Sequence, residues 1–393
     1  MAVTFNYKSI QEYLKQEKID GWLLYDFHGK NDVAVEMLSL PGHLTRRSFF
    51  FIPADGEPVG LVSHIEKDRF THLGTALEIH ASYKEMEEKL AVILKGCKKI
   101  AMEYSPHGRL PYIGLVDAGT IEMVRSFGVE IISSADIVAH FNARMTDKQI
   151  ELHRRAAFMI NIIKDDAFHL IREALKEGNF INEKMVVYFI KRRFEEENLA
   201  TDFPPICAVN SNICNPHYEP TEGNSSPIRK DSLILIDLWA KYKEPKAVFA
   251  DITWMAYAGE SVPDQYGDIF SVVTRARDAA FSFLKEKFPS EMVYGYEVDD
   301  VCRAVIDRAG FGPNFFHRTG HSILENVHGP GPNIDNRETE DRRRLLSGHL
   351  FSIEPGIYLD KFGFRSEVDC LLTDLGPEIT TQPLQKEIIP LMV

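Results

Sequence analysis

Two predicted strands each carry an aspartate in an otherwise apolar run. Asp237 lies inside the segment 233–240, and Asp251 lies inside the segment 247–254. If residues 243–245 form the turn of a β-hairpin, Asp237 and Asp251 face each other directly, with Cβ atoms about 5 Å apart. Two unpaired carboxylates at that distance repel each other, whereas a cation bound between them would remove the conflict.

A second hairpin near the C-terminus repeats this arrangement with two glutamates. Glu354 follows the apolar segment 350–353, and Glu367 lies on the next predicted strand. A two-residue turn at residues 360–361 places Glu354 opposite Glu367. A single acid in a strand is most often a solvent-facing charge at a sheet edge. Two register-matched pairs inside apolar strands favour a buried cation site instead.

The segment before the second hairpin is rich in histidine. His317, His321 and His328 lie within twelve positions, and His217 lies on a turn-rich loop before the first acid strand. A lone histidine is more often a hydrogen-bonding residue than a ligand. Beside four carboxylates, one imidazole would complete a mixed nitrogen and oxygen site that suits Mn²⁺, Co²⁺, Zn²⁺ or Fe²⁺.

The periodicity of the chain changes near residue 143. Helical and strand segments alternate before it, which predicts a smaller α/β domain at 1–143. Thr146 and Gln149 form a capping-box sequence at the start of a long amphipathic helix. The later residues combine helices with paired antiparallel strands, so we predict the α+β fold class, with the larger domain at 144–393.

Charge and composition bear on the partners of the protein. Acidic residues outnumber basic ones by 58 to 45, and the net charge of -13 disfavours nucleic acid as a main partner. No apolar run approaches the ~20 residues of a membrane helix, and residues 1–7 show no basic-then-apolar leader, so we expect no membrane partner. The five cysteines are scattered, with no Cys-x-x-Cys pair, which predicts reduced thiols and a cytoplasmic location.

Taken in order, these segments resemble the pita-bread metallopeptidase family, which includes aminopeptidase P, prolidase, methionine aminopeptidase and the metal-free creatinase. The matching motifs are Ile236-Asp237, Asp251-Ile252-Thr253, Gly320-His321, Val327-His328, the run from Ile353 to Tyr358, and Arg365-Ser366-Glu367. The N-terminal domain resembles the creatinase-type domain of prolidase and aminopeptidase P. The resemblance therefore implies a C-terminal pita-bread domain. It also implies a peptidase that hydrolyses the Xaa-Pro bond of dipeptides or peptide N-termini through a metal-bridging hydroxide.

The resemblance also implies two divalent cations per chain, with Mn²⁺ favoured and Co²⁺, Zn²⁺ or Fe²⁺ as the alternatives. Asp237 would bind one cation, and His321 and Glu354 would bind the other. Asp251 and Glu367 would bridge both. Glu354, beside the hydroxide, would also act as the catalytic proton shuttle.

Further matches imply roles around the ligands. His217 and His328 match catalytic histidines that bind the substrate and stabilise the intermediate. His317 matches an extra histidine of the Xaa-Pro branch, which would either bind the substrate or support a neighbouring residue. Arg365 matches an arginine of that branch that would bind the substrate or orient Glu367 or another acid. The resemblance further implies a small peptide substrate and a homodimer in which the N-terminal domain helps to close the partner's active site.

Three departures from the family pattern flank the expected substrate pocket. Trp239 replaces a small residue, Leu324-Glu325 lies where the family prefers a Gly-Leu pair, and Gly329 replaces an acid. The ligands are intact, but these changes leave the specificity of the pocket open. Two alternatives therefore stand beside the peptidase: a hydrolase or lyase of the same fold acting on a small non-peptide compound, and a non-enzymatic binding module.

Overall fold

The computed structural model describes residues 7–40 and 44–392, so the segment considered as a leader lies outside it except for Tyr7. The chain divides into two compact units between Asn142 and Ala143. That these units are independent domains with the bounds 1–143 and 144–393 stays a prediction. Within the described ranges, no helix combines the length and the apolarity needed to cross a membrane.

The N-terminal unit is a six-stranded mixed sheet with helices packed on it. Its strands are β1 Gly21–Asp26, β2 Ser48–Pro53, β3 Val59–Ser63, β4 Ala76–His80, β5 Lys99–Met102 and β6 Glu130–Ser133. Its helices are α1 Tyr7–Gln16, α2 Asp32–Met37, α3 Tyr83–Ile93, α4 Ala118–Ser126 and α5 Ala135–Asn142. The strand order is β4-β3-β2-β1-β5-β6, with β1 antiparallel to β2 and parallel to β5.

Both faces of this sheet are covered, which explains the continuous apolar runs of its central strands. On β1, Trp22 and Leu24 pack into one hydrophobic cluster, whereas Leu23 and Tyr25 pack into another. All six residues of β1 are buried. The prediction of an α/β pattern with a covered sheet is confirmed for the described part of this unit.

The C-terminal unit combines mainly antiparallel sheets with four long helices. Its helices are α6 Asp147–Lys176, α7 Glu183–Glu196, α8 Asp264–Lys287 and α9 Gly295–Arg308. Its strands are β7 Leu199–Ala200, β8 Ile206–Val209, β9 Leu233–Tyr242, β10 Ala250–Tyr257, β11 Leu350–Ile353, β12 Gly356–Tyr358, β13 Gly363–Arg365, β14 Val368–Thr373, β15 Gly376–Ile379 and β16 Ile389–Pro390. The central sheet has the order β16-β10-β9-β7, and β8 also pairs with β9.

Helices cover this unit in two groups. Apolar residues of α6 and α7 pack against one face of β9 and β10, and those of α8 and α9 pack into a second cluster with β11 to β15. Helix α6 begins at the predicted capping box. The backbone N–H of Thr146 donates to Gln149 Oε1 (3.0 Å), and the backbone N–H of Gln149 donates to Thr146 Oγ1 (3.3 Å).

The predicted direct pairing of Asp237 with Asp251 is wrong. In the β9–β10 ladder Asp237 faces Thr253, and Asp251 faces Trp239. The connection is longer than three residues because the N–H of Phe249 donates to Leu324 O (3.0 Å), outside the hairpin. The error is two residues, and side chains alternate with a period of two. Asp237 and Asp251 therefore still project from the same face, as diagonal neighbours.

The predicted register of the second hairpin is confirmed. Gly356 pairs with Arg365 in β12–β13, and Ile353 pairs with Val368 in β11–β14, so both ladders share the register that sets Glu354 against Glu367. The turn is also the predicted one, since the N–H of Leu359 donates to Phe362 O (2.9 Å) across residues 360–361. A tight turn fixes the register of both strands that leave it.

Gly320 provides a test of the packing next to His321. A Cβ atom there would lie 1.8 Å from the carbonyl oxygen of Ser352, which is backbone and has no rotamer to change. We expect Gly320→Ala to lower the free energy of unfolding by at least about 2 kcal/mol, measured by urea denaturation. Gly267 in α8 is the matched control, because a Cβ there meets no atom within 4 Å. Gly267→Ala should raise stability by about 0.5–1 kcal/mol. Equal effects of the two changes would contradict this account.

His153 on α6 provides a test by pH. It is fully buried, and burial lowers its pKa from 6.5 to about 4. In the unfolded chain His153 is protonated below about pH 6.5, whereas in the folded chain it is protonated only below about pH 4. The free energy of unfolding therefore falls as the pH falls through that range. We expect this effect of His153 to lower the free energy of unfolding by about 2 kcal/mol between pH 7 and pH 5. Urea unfolding at both pH values should show that the wild type loses about 2 kcal/mol more than His153→Gln between pH 7 and pH 5; identical losses would refute it.

Candidate metal centre

The site is built on the face of β9 and β10 that carries Asp237 and Asp251. Asp251 is 3% exposed and Asp237 is 7% exposed, so both carboxyl groups have left water. Oδ1 of each is buried and has no hydrogen-bond partner among the described residues. Burying an unpaired carboxylate oxygen is costly, so the two atoms indicate a place prepared for a positive charge.

His321 faces these carboxylates with its Nε2 atom. Its Nδ1 atom lies 3.2 Å from the carbonyl oxygen of Ser322, which makes Nδ1 the donor and leaves Nε2 unprotonated. Nε2 lies 3.7 Å from Asp251 Oδ2 and 3.5 Å from Glu354 Oε1. Burial lowers the pKa of His321 well below its usual range, so a proton does not fill this gap. A neutral imidazole opposite two carboxylates is a ligand set for a cation.

Glu367 completes the cluster from the second hairpin. Three residues, Asp251, His321 and Glu367, each offer one ligand atom, and these atoms lie within 4.8 Å of one another. All three residues are buried. Thr253, which pairs with Asp237 in the ladder, donates its hydroxyl to Glu367 Oε2 (2.7 Å). The structure thus brings the first hairpin, the second hairpin and the histidine segment together at one point.

Arg365 is a buried cation at this cluster and is 3% exposed. Its Nη2 donates to Asp237 Oδ2, its Nη1 donates to the hydroxyl of Tyr358 (3.0 Å), and its Nε donates to Thr253 Oγ1 (3.1 Å). Arg365 therefore orients Asp237 directly, and it orients Glu367 through the Thr253 hydroxyl. Because all three guanidinium nitrogens are engaged, the group is fixed rather than free to swing.

One guanidinium does not offset all the acids. Burial, followed by the charges of Glu367 and Asp237, raises the pKa of Asp251 well above its usual range. Burial also raises the pKa of Glu354 to about 7. Burial thus disfavours the charged form of both carboxyl groups, and neighbouring carboxylates add to this effect. Carboxylate and imidazole ligands, with buried oxygens left unpaired, fit divalent metal ions.

His317 lies behind the cluster, with both ring nitrogens engaged by the protein. Nδ1 lies 2.7 Å from the carbonyl oxygen of Arg318, and Nε2 lies 2.9 Å from the hydroxyl of Tyr358. Tyr358 accepts from Arg365, so its own proton goes to His317. Burial and the charge of Arg365 lower the pKa of His317 to about 3. The ring is therefore neutral and acts on Arg365 through Tyr358.

His217 and His328 lie at the open side of the cluster, and both are exposed. The ring of His328 is perpendicular to that of His321, with centroids 4.5 Å apart. Burial raises the pKa of Asp237 and lowers that of His328, and His217 lies near enough to contribute to both. Unlike His317, these two rings are placed where a bound molecule could reach them.

The departures from the family pattern are held by packing and polar contacts of their own. Trp239 faces Asp251 in the ladder and packs against the hydrophobic cluster that contains Leu324. Its Nε1 atom is buried without a hydrogen-bond partner in the described part of the chain. Glu325 is tied to Lys246 by an ion pair (3.0 Å), and the N–H of Gly329 donates to Ser322 O (2.7 Å). Trp239 and Leu324 thus share one hydrophobic cluster, while Glu325 and Gly329 are held by polar contacts of their own.

Three residues of the site were missed by sequence reasoning. Thr253 and Tyr358 lie within the matching motifs, but they were given no role there. Asp369 follows Glu367 by two positions, and its Oδ2 accepts from the N–H of Asp251 (2.9 Å). The available signal was the strand period, which places residues 251 and 253, and residues 367 and 369, on common faces.

Comparison with known proteins identifies the family. The model of metallopeptidase family M24 matches residues 152–374, which is more than half of the chain. The chain belongs to metallopeptidase family M24. The resemblance to the pita-bread metallopeptidases is thereby confirmed. A curated relative, the Xaa-Pro dipeptidase of Lactobacillus delbrueckii subsp. lactis, is 31% identical over 239 residues, which is 60% of this chain. The matched region is 59% of that relative's length.

Solved structures show that this family member has the pita-bread fold. Dipeptidase PepE from Mycobacterium ulcerans is similar with a TM-score of 0.74 and 19% identity, over 99% of this chain and 98% of that one. X-prolyl aminopeptidase from Caenorhabditis elegans, described as a cytosolic enzyme with a di-nuclear active site, is similar with a TM-score of 0.69 and 19% identity. That match covers 98% of this chain and 63% of the nematode chain. At such identities the likeness establishes the fold alone.

The hydroxyl of Thr253 provides a test of the hydrogen-bond network of this M24 site. Thr253→Val keeps the side-chain shape but leaves the Arg365 Nε donor and Glu367 Oε2 without their shared partner. We expect the free energy of unfolding to fall by about 1–3 kcal/mol, because buried polar groups lose their hydrogen bonds. Thr253→Ser keeps the hydroxyl and is the control. If both variants unfold at the same urea concentration, the hydroxyl is not what holds this network.

Proposed function

We propose that the protein is a metal-dependent peptidase that hydrolyses the Xaa-Pro bond of dipeptides or peptide N-termini. The observation that carries the proposal is the buried cluster of Asp251, His321 and Glu367, whose ligand atoms lie within 4.8 Å of one another. Similarity to the Xaa-Pro dipeptidase of Lactobacillus supports the Xaa-Pro bond as the target.

The proposed site holds two divalent cations, in keeping with the di-nuclear active site described for the nematode aminopeptidase. Asp237 would hold one cation, and His321 and Glu354 would hold the other. Asp251 and Glu367 would contribute to both. Mn²⁺ is our first choice, with Co²⁺, Zn²⁺ and Fe²⁺ as alternatives that accept the same ligands. When bound, such cations activate water and stabilise negative charge on the scissile carbonyl oxygen.

Side chains of this protein would transfer protons, bind the peptide and position the ligands. Glu354, whose Oε1 lies 3.5 Å from His321 Nε2, can accept a proton from the attacking water and pass it to the proline nitrogen. His217 and His328, at the open side, would hold the peptide and donate hydrogen bonds to it. Arg365 holds Asp237 in place, and His317 supports Arg365 through Tyr358. We further propose that the enzyme is a homodimer and works in the cytoplasm.

A metal-supplemented substrate panel tests the function. We expect the protein, incubated with Mn²⁺, to cleave Ala-Pro and Gly-Pro dipeptides, assayed by release of free proline. Longer Xaa-Pro peptides in the same panel separate a dipeptidase, which cleaves dipeptides only, from an aminopeptidase, which cleaves both. Cleavage of neither, with Co²⁺ and Zn²⁺ also tried, would overturn the peptidase proposal. It would turn attention to small non-peptide substrates or to a binding role.

A variant of Asp251 tests the site. Asp251→Ala removes the carboxylate proposed to bridge the cations, so turnover should be abolished and bound Mn²⁺, measured by elemental analysis, should fall. The fold should survive, because removing one of several repelling buried carboxylates does not break the sheet. Asp117→Asn in the N-terminal unit is a control that removes a carboxylate far along the chain from the cluster motifs. Full activity of Asp251→Ala would contradict the assignment.

A further inference from the structure

Asp369 is a buried acid to which the proposed mechanism assigns no role. It lies on β14 with no exposed surface, among Val368, Cys370 and Leu371, which are buried and apolar. Its Oδ2 accepts from the backbone N–H of Asp251 (2.9 Å), and its Oδ1 has no partner among the described residues. Burying a carboxyl group that accepts one hydrogen bond and leaves its other oxygen unpaired is costly, so packing alone does not account for an acid at this position.

The backbone of Asp369 is itself held on both sides. Its N–H donates to Thr381 Oγ1 (2.8 Å), and its carbonyl oxygen accepts from the N–H of Thr380 (3.0 Å). The Thr380 hydroxyl lies 2.6 Å from His153 Nε2. On its other side, His153 Nδ1 lies 2.8 Å from the carbonyl oxygen of Phe249, two residues before Asp251.

These bonds form a closed frame around the start of β10. The frame runs from Asp251 to Asp369, from Asp369 to Thr380, from Thr380 to His153 on α6, and back through Phe249. It holds the backbone of β10 at the residues that precede and include Asp251. The carboxylate of Asp251 faces His321 at 3.7 Å from the opposite side. Because a metal site tolerates only small errors in ligand position, the backbone that carries a ligand must be fixed as well.

We propose that Asp369 is a positioning residue that sets the place of the Asp251 carboxylate by binding its backbone N–H. Asp369 is not a ligand in this proposal, and its hydrogen bond goes to the peptide group of Asp251 rather than to a ligand side chain. The proposal rests on the proposed metal site. It adds to that site a residue that no motif match assigns.

The test compares Asp369→Leu, which has no acceptor, with Asp369→Asn, whose side-chain oxygen can still accept from the Asp251 N–H. Mn²⁺ affinity of the full chain is measured by isothermal titration calorimetry. We expect Asp369→Leu to raise the Kd for Mn²⁺ about 10–100-fold and Asp369→Asn to stay within about threefold of the wild type. Glu103→Gln is the matched control, since Glu103 is a fully buried, hydrogen-bonded acid of the N-terminal unit. Its Kd should be unchanged even if its stability falls.

Amide hydrogen exchange, followed by mass spectrometry on metal-free protein, provides a second readout. The peptide containing Asp251 should exchange faster in Asp369→Leu than in the wild type, and Asp369→Asn should restore slow exchange. If Asp369→Leu does not fold, Thr381→Val is the substitute, because it removes the acceptor of the Asp369 N–H. It should also raise the Kd for Mn²⁺ and speed exchange in the peptide containing Asp251.

Each outcome decides something. An unchanged Kd in Asp369→Leu overturns the proposal, and so does an Asp369→Asn variant that binds as weakly as the leucine variant, since charge would then matter rather than position. If the wild type itself binds no Mn²⁺, the proposed function fails. The exchange readout then decides the role of Asp369, and equal exchange in wild type and Asp369→Leu would refute it.

Discussion

The repulsion between buried carboxyl groups is the constraint on which the C-terminal unit depends. Asp237, Asp251, Glu367 and Asp369 are all less than a tenth exposed, and Glu354 lies beside them. Such a cluster is stable only if positive charge or fixed donors oppose it. Arg365 offsets part of the negative charge by its ion pair with Asp237. The hydroxyl of Thr253 donates to Glu367, and the backbone N–H of Asp251 donates to Asp369. The remaining excess negative charge makes a divalent cation a natural partner for this site.

How far the sequence predicts the fold depends on how local the deciding interaction is. The capping box at Thr146 and the turn at residues 360–361 involve neighbours in the chain, and both were predicted correctly. The register of β9 and β10 was predicted wrongly, because a tertiary hydrogen bond from Phe249 to Leu324 lengthens the connection. No local pattern contains that bond. The set of acids on the common face survived the error because the shift was an even number of residues.

The same reasoning explains what sequence analysis of the site could and could not reach. The acids and histidines were found because their chemistry is unusual in apolar strands and their order matches the family. Whether His317 meets the substrate or supports a neighbour was left open. The answer depends on two hydrogen bonds, to Arg318 and Tyr358, which only the folded chain shows. Asp369 was overlooked because its role depends on a backbone N–H, which every residue except proline carries and which therefore leaves no trace in the sequence.

The ligand segments lie far apart along the chain, on β9 and β10, after α9, and on the second hairpin. No short fragment contains a complete ligand set, so the cluster can assemble only after these segments have docked. Contacts of such high sequence separation are made at a large entropic cost, and they tend to form late in folding. Cation binding at this cluster would therefore be a property of the fully folded C-terminal unit. The rate at which the refolding chain gains affinity for a metal ion would time the last docking step, rather than the formation of any single hairpin.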